Sequence, residues 1–168
     1  MRFTAAIALG SNLGDRAAHI AAAFDALAHL PRTDLIARAP SIETAPLGAP
    51  GIDAGGPYLN SAALLHTALP ARDLLNHLHA IELSRGRNRD AEPRWGPRTL
   101  DLDLLVYGDQ IIDEPGLTIP HPRLHERDFV LEPLYVIAPD LEVPGRGKVA
   151  DLLAALAPGS MHVGRTVG

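Results

Sequence analysis

The chain has 168 residues, with 15 lysines and arginines against 20 aspartates and glutamates, so its formal net charge at pH 7 is −5. This length and a hydrophobic content of 46% predict one globular domain spanning residues 1–168. The acidic balance argues against nucleic-acid binding through bulk charge, and the absence of cysteine excludes disulfides and thiolate metal sites. The sequence contains no run of about 18 apolar residues, the length needed to span a membrane. We therefore expect a cytoplasmic protein without membrane or nucleic-acid partners.

The first third of the chain predicts a strand, a helix and a second strand. Residues 3–9 alternate in hydrophobicity and predict a strand that stops at a Gly-Ser-Asn turn. A helix with an apolar stripe follows, which Asp15 is expected to cap and Pro31 to end. Residues 35–42 predict the second strand. Glycine and proline occupy seven of the thirteen positions in 45–57, so this segment is expected to be a long loop.

The same order of elements recurs farther along the chain. Residues 58–67 predict a third strand, Pro70 opens a second helix, and residues 100–107 predict a fourth strand. Two short helices are expected around residues 127–137 and 149–156. The order strand, helix, strand, strand, helix, strand predicts an α+β fold, the ferredoxin-like βαββαβ sandwich, with a C-terminal extension of short helices.

Asp101 and Asp103 lie two residues apart on the fourth predicted strand, so their carboxylates are expected to project from one face. The residues expected to face the core together are Leu100, Leu102, Leu104 and Val106. Two oxygen ligands suit Mg²⁺, which takes its other ligands from water and substrate phosphates. An Asp-x-Asp pair alone is more often the solvated face of an amphipathic strand.

A group of arginines directly before this strand favours the metal interpretation. The five arginines in residues 84–99 are Arg85, Arg87, Arg89, Arg94 and Arg98. Cationic side chains that bind phosphates, beside carboxylates that bind the cation shared with those phosphates, are typical of phosphoryl transfer. The only lysine, Lys148, lies outside any Walker pattern, so arginines would have to contact the phosphates.

Aromatic residues in polar surroundings indicate a second kind of ligand. Tyr58, Trp95 and Phe129 could stack on a flat heterocycle whose edge Asn60 reads, although each aromatic is also compatible with an ordinary core position. Among the eight histidines, His121 lies between two prolines and is the one we expect to be functional. The Gly-Ser-Asn-Leu-Gly segment after the first strand is interpreted as a tight turn rather than a phosphate site.

The run from Arg94 to Leu105, RWGPRTLDLDLL, resembles the signature of the 6-hydroxymethyl-7,8-dihydropterin pyrophosphokinase family. Further blocks resemble the same family and cover the chain to about residue 139: residues 8–13, 44–48, 58–60, 82 with 86–89, 119–123 and 127–131.

The resemblance implies transfer of the β,γ-diphosphate of ATP to the hydroxymethyl group of the pterin in folate biosynthesis, with two Mg²⁺ ions as cofactors. By matched position, Asp101 and Asp103 would hold both metals and act in catalysis with Arg87 and Arg89. The implied ATP contacts are His79, Glu82, Arg87, Arg89, Trp95, Arg98, Thr118, His121 and Arg127. The implied pterin contacts are Thr44, Leu47, Tyr58, Asn60, Trp95 and Phe129. We expect a monomer whose partners are these two small molecules.

Two alternatives use the same residues differently. A ferredoxin-like regulatory module could bind a nucleotide or metal without turnover, and a two-metal phosphodiesterase or nuclease could use the two carboxylates. The module does not account for an aspartate pair beside five arginines, and a nuclease would need more basic surface than this acidic chain carries.

Overall fold

The structure is a computed structural model that describes residues 1–44, 57–86 and 99–156 and the backbone of residues 165–167. The strands of its main sheet are β1 (Phe3–Ser11), β2 (Thr33–Arg38), β3 (Ser41–Thr44), β4 (Tyr58–Thr67), β5 (Asp101–Tyr107) and β10 (Arg165–Val167). Its helices are α1 (Arg16–Ala28), α2 (Ala71–Ser84), α3 (Asp128–Ile137) and α4 (Val149–Ala155), with a 3₁₀ turn at Leu124–Glu126. Two small hairpins pair β6 (Ile112–Glu114) with β7 (Leu117–Ile119) and β8 (Glu142–Val143) with β9 (Gly147–Lys148).

The main sheet is antiparallel, with the order β10-β3-β4-β1-β5, and β2 also pairs with β4. Strands β2 and β3 pair with different parts of β4, residues 63–67 and 58–60, and together form one interrupted strand beside it. The predicted ferredoxin-like arrangement is therefore confirmed, as are the two short helices of the C-terminal extension. No helix in the described ranges is both long and apolar enough to cross a bilayer.

Each face of the sheet carries its own hydrophobic cluster. Helices α1 and α2 cover one face, where the buried residues include Ile7, Leu9, Phe24, Leu27, Leu65, Leu74, Leu78 and Leu102. The C-terminal helices cover the other, where the buried residues include Ala6, Ala8, Ala62, Leu105, Val106, Val130, Leu131 and Leu134. As predicted, Asp15 caps α1, since its Oδ1 accepts a hydrogen bond from the Ala18 N–H at 3.1 Å.

Two strand predictions were wrong in their bounds. Strand β1 continues through Gly10 and Ser11, where a turn was predicted, and both residues are buried between β4 and β5. The predicted strand 35–42 is divided at residues 39–40, because Pro40 has no N–H for the ladder. These differences matter because the longer β1 places Gly10 between the two strands that carry the candidate site.

The prediction that Val106 shares a face with Leu100, Leu102 and Leu104 was also wrong. In the ladder, Leu104 lies opposite Ile7 and Val106 lies opposite Ala6, so Leu105 is the extra residue of a β-bulge. Beyond the bulge the alternation changes phase, and Val106 joins the cluster under α3. The aspartate pair lies before the bulge and keeps the predicted alternation.

Candidate active site

One row of residues crosses three strands on the sheet face opposite α1 and α2. Asp101 of β5 lies opposite Gly10 of β1, and Gly10 lies opposite Asn60 of β4. With neighbouring strands about 4.8 Å apart, Asp101 and Asn60 are separated by roughly 10 Å across a position without a side chain. A Cβ at Gly10 would lie 3.2 Å from Asn60 Oδ1 and 3.4 Å from Tyr58 Cδ1, so the glycine makes room for these two groups.

The aspartate pair occupies the β5 end of this face. Asp101 and Asp103 are both half-buried and lie opposite Gly10 and Ala8, so the predicted common face is confirmed. Within the described ranges no three histidine, aspartate or glutamate side chains come close enough together to hold a metal ion. Any ion held here would therefore take its other ligands from water or from a bound phosphate.

His121 lies beside the aspartate pair. Its backbone N–H donates to the carbonyl of Leu105, the bulge residue, at 2.9 Å, and its Nδ1 accepts from the Arg123 N–H at 3.2 Å. Burial, with further contributions from Arg127 and Arg123, lowers the pKa of His121 to about 4, and Asp101 only partly opposes this shift. The imidazole is thus neutral near pH 7.

A cavity of about 240 Å³ opens at the outer edge of β5. Helix α2, strand β5, the β6–β7 hairpin and the segment His121–Pro122 all contribute lining residues. The lining residues are Leu75, His79, Leu102, Asp103, Leu104, Gly116, Leu117, Thr118, His121 and Pro122. Three predicted ATP contacts, His79, Thr118 and His121, therefore meet at one cavity together with one predicted metal ligand, Asp103.

Glu82 was also predicted to contact ATP, which stays a prediction, and its carboxylate makes a contact within the protein. Its side chain is buried, with 1% exposure, and Oε2 accepts a hydrogen bond from the Leu102 N–H at 2.7 Å. The carboxylate joins α2 to β5 between the two aspartates, and Glu82 is not among the residues that line the cavity. Glu82 thereby fixes the strand that carries Asp101 and Asp103.

The predicted pterin contacts on β3 and β4 are adjacent in the sheet. Thr44 lies opposite Tyr58, and the Asn60 Nδ2 donates to Thr44 Oγ1 at 2.5 Å. Thr44 and Asn60 are both buried, so this hydrogen bond sets the orientation of the amide. Because Asn60 Oδ1 lies beside Gly10, the amide oxygen is held toward the row that leads to Asp101.

Arg127 and Phe129 lie at the start of α3, the helix that packs on this side of β4. The Arg127 guanidinium carbon is 5.7 Å from the centroid of the Phe129 ring, within the range of a cation–π contact. Arg127 also contributes to the low pKa of His121. Arg127 therefore lies near both Phe129, a predicted pterin contact, and His121, a predicted ATP contact.

Several predicted residues fall outside the described ranges and stay predictions: Leu47, Arg87, Arg89, Trp95 and Arg98.

Sequence reasoning missed Gly10, because a glycine at the end of an alternating run is typical of a turn. The available signal was that Ala6, Ala8 and Gly10 are all small and share one face. Small side chains on one face of a strand indicate that other groups approach it closely.

Comparisons with known proteins agree with these features. Residues 6–139 match the family described as 7,8-dihydro-6-hydroxymethylpterin-pyrophosphokinase. A 2-amino-4-hydroxy-6-hydroxymethyldihydropteridine pyrophosphokinase of Pseudomonas aeruginosa is 48% identical over 150 residues, 89% of each chain. The enzyme of the same name from Haemophilus influenzae is 40% identical over 158 residues, 94% of this chain and 96% of its own.

Solved structures agree with the fold. A Plasmodium falciparum HPPK-DHPS with pteroate superimposes with a TM-score of 0.69 at 12% identity, over 92% of this chain. An HPPK-DHPS in complex with substrates has a TM-score of 0.68 at 12% identity. The chain spans only 44% and 43% of those two longer chains. By its family match and its close relatives, the chain belongs to the 7,8-dihydro-6-hydroxymethylpterin-pyrophosphokinase family, which transfers pyrophosphate to 6-hydroxymethyl-7,8-dihydropterin in folate biosynthesis.

Proposed function

We propose that the chain transfers the β,γ-diphosphate of ATP to the hydroxymethyl oxygen of 6-hydroxymethyl-7,8-dihydropterin, releasing AMP, with two Mg²⁺ ions as cofactors. The observation that carries the proposal is the row Asp101–Gly10–Asn60 beside the cavity that Asp103 and His121 line. Carboxylates suited to a metal–phosphate group thereby lie roughly 10 Å, two strand spacings, from groups suited to a flat heterocycle.

Asp101 and Asp103 fit Mg²⁺ by the chemistry of their donor atoms. Protein sites for this ion usually supply one or two carboxylates and leave the other positions to water and substrate phosphates. Two half-buried carboxylates on one strand face match that pattern. Asp101 and Asp103 would hold the Mg²⁺, whose positive charge would offset part of the charge of the phosphates.

His121 is suited to contact a phosphate as a neutral donor. Since its Nδ1 accepts from the Arg123 N–H and its pKa is lowered to about 4, the ring proton near pH 7 belongs on Nε2. From there it can donate to a phosphate oxygen. His79 of α2 and Thr118 of β7 both line the cavity and would offer polar groups to the nucleoside part of ATP.

The pterin would bind over Gly10, between the β3–β4 ladder and the start of α3. Asn60 would read the edge of the heterocycle through its amide, whose orientation Thr44 sets. Tyr58 and Phe129 would supply ring surface for stacking. Both aromatic side chains are half-buried, as expected for rings that contribute surface to a ligand.

In this arrangement the chain contributes positioning and charge rather than covalent chemistry. The sheet face would hold the hydroxymethyl oxygen of the pterin close to the β-phosphorus of ATP, which lowers the entropic part of the barrier. Arg127, with Arg87, Arg89 and Arg98, would offset charge that spreads over the diphosphate in the transition state.

Product analysis tests the proposal against both alternatives. The protein is incubated with MgATP in the presence and absence of the pterin, and with excess EDTA. We expect AMP and pterin diphosphate in equal amounts, only when both the pterin and the metal are present. AMP or ADP formed without the pterin would indicate a hydrolase. Nucleotide binding without turnover would indicate a regulatory module.

Binding measurements test where the pterin lies. Tyr58→Ala, Asn60→Ala and Phe129→Ala should each weaken pterin binding by about 1 kcal/mol or more, because each removes a stacking ring or a hydrogen-bonding amide. Calorimetric titration with the pterin and, separately, with a nonhydrolysable ATP analogue should show a much smaller change for the nucleotide. Equal losses for the two ligands would contradict this position.

We further propose that the enzyme works as a cytoplasmic monomer. Sedimentation equilibrium at the enzyme concentrations used for the assay should give the mass of one chain, 17.9 kDa. A dimer that persists on dilution would contradict it.

A further inference from the structure

Arg16 has an unfavourable position for a basic residue. It is the first residue of α1, where the partial positive charge of the helix N-terminus disfavours a cation. The helix is already capped by Asp15, so the guanidinium is not needed for capping. The placement of Arg16 is better explained by what its side chain contacts.

The guanidinium of Arg16 joins the ends of two neighbouring strands. Its Nη1 donates to the carbonyl oxygen of Pro57 at 2.8 Å and lies 3.6 Å from Glu43 Oε1. Pro57 directly precedes β4, and Glu43 is the second-last residue of β3. The Arg16 and Glu43 side chains are only about a third exposed, at 31% and 35%, so solvent screens this pair less than a fully exposed one.

The two strand ends that Arg16 joins carry predicted pterin contacts. Glu43 is followed by Thr44 and Pro57 by Tyr58, and Thr44 lies opposite Tyr58 as the last pair of the described ladder. Thr44 also accepts the hydrogen bond that orients the Asn60 amide. A shift of either strand end would therefore move the ring of Tyr58 and rotate the amide of Asn60 together.

We propose that Arg16 is a positioning residue for the pterin. It acts through Thr44 and Tyr58, by holding the end of the β3–β4 ladder in the geometry that the heterocycle requires. This inference rests on the proposed pterin position, and it adds a residue of α1 to a site otherwise formed by the sheet and α3.

A matched control exists elsewhere on the same sheet. Arg2 Nη1 donates to Asp34 Oδ2 at 3.0 Å and to the carbonyl oxygen of His66 at 3.4 Å, at the end of β4 away from Tyr58. Arg2 thus makes the same combination of carboxylate and backbone contacts far from the candidate site. The variants Arg16→Met and Arg2→Met keep most of the apolar stem and remove the guanidinium in both places.

The experiment measures the Kd of the pterin, the Kd of a nonhydrolysable ATP analogue, kcat at saturating substrates and the urea midpoint for each variant. We expect Arg16→Met to raise the Kd of the pterin about three- to tenfold, the effect of one lost hydrogen bond, with little change for the nucleotide or in kcat. Arg16→Lys should restore most of the affinity, because an ammonium can still donate to the Pro57 carbonyl. Arg2→Met should lower the urea midpoint about as much as Arg16→Met without changing the pterin Kd.

Three results would overturn the inference: an unchanged pterin Kd in Arg16→Met, an equal loss in Arg2→Met, or an equal loss of nucleotide affinity. Tyr58→Ala and Asn60→Ala, measured beside them, separate the causes. If these two weaken the pterin and Arg16→Met does not, the pterin position stands and the role of Arg16 is refuted. If neither of the two weakens the pterin, the proposed position is itself wrong and the inference falls with it.

Discussion

At the scale of single residues, Gly10 is the position where the two halves of the candidate site meet. Replacing it by alanine would place a Cβ 3.2 Å from Asn60 Oδ1, closer than the amide tolerates without moving. We expect Gly10→Ala to weaken pterin binding about tenfold, the effect of misplacing one hydrogen-bonding group, while the nucleotide Kd stays within about twofold. Calorimetric titration with each ligand measures both.

The effect of Gly10→Ala should be steric rather than conformational. Gly10 lies in a regular antiparallel ladder and is not among the glycines with positive φ, so alanine is compatible with its backbone. The urea midpoint should consequently change little. An unchanged pterin affinity would show that the space above Gly10 is not used by the heterocycle.

The aspartate pair allows stability and activity to be separated. Asp101→Asn and Asp103→Asn should each lower kcat about 100-fold or more, since the remaining carboxylate cannot hold the metal–phosphate group alone. The melting temperature should stay the same or rise slightly, because one of two neighbouring negative charges is removed. Assays over a wide range of Mg²⁺ concentration, with calorimetry of the same samples, check both parts. Near-normal turnover at saturating Mg²⁺ would refute the metal assignment.

His121 makes stability depend on pH in a defined direction. Burial and then Arg127 lower its pKa in the folded state to about 4, from 6.5 in the unfolded chain. Between these values the unfolded state binds a proton that the folded state does not, so the free energy of unfolding falls as the pH is lowered from 6.5 toward 4. Above this range the contribution is fully present.

Urea unfolding of the ligand-free protein at about pH 7 and about pH 5 should therefore show a larger loss of stability in the wild type than in His121→Gln. The difference between the two losses removes the contribution of carboxyl groups that titrate in both proteins. Equal losses in the two proteins would mean that the imidazole is solvated well enough to titrate normally.

At the scale of elements, the β6–β7 hairpin sets one wall of the cavity, and Arg72 connects it to α2. Arg72 Nη2 donates to Glu114 Oε1 and to the carbonyl oxygen of Pro115, both at 3.0 Å. Arg72→Met should raise the Kd of the ATP analogue about threefold through the lost backbone contact, because an exposed ion pair alone contributes little. The pterin Kd should stay unchanged, in contrast to Arg16→Met. Unchanged nucleotide affinity would mean that the hairpin holds its position without α2.

The elements also show which parts of the fold the sequence can predict. Long periodic elements such as α1, β4 and α2 were predicted closely, because a wrong period would expose a whole apolar face. The hairpin of β6 and β7 was missed, since three-residue strands are too short to show a period. Its Pro115-Gly116 turn was the available signal.

Site residues were predictable where chemistry, rather than packing, determines the residue type. The common face of Asp101 and Asp103 follows from alternation alone, and the structure agrees. The contact of Glu82 with the Leu102 N–H does not follow from any sequence pattern, because it depends on how α2 packs against β5. The roles of Gly10 and Arg16 depend on strand register, which no local pattern in the sequence specifies.

At the scale of the whole molecule, one sheet separates two hydrophobic clusters, so neither cluster can lose its packing without exposing the sheet to water. We therefore expect a single cooperative unfolding transition, with equal calorimetric and van't Hoff enthalpies. Leu78→Ala in the first cluster and Leu131→Ala in the second should each cost about 2–5 kcal/mol, because both side chains are fully buried. Each variant should still unfold in one step. A second transition in either variant would show that the C-terminal helices unfold separately from the sheet.

The bulge at Leu105 ties the length of β5 to the position of His121. Deleting Leu105 would leave Leu104 opposite Ile7 and Val106 opposite Ala6, so both ends of the strand would keep their faces, but the second cluster would lose a fully buried side chain. The same deletion would remove or displace the carbonyl that holds the His121 backbone. In diverging descendants of this chain, insertions and deletions should therefore collect in the connecting loops, while the number of residues from Asp101 to Tyr107 stays constant.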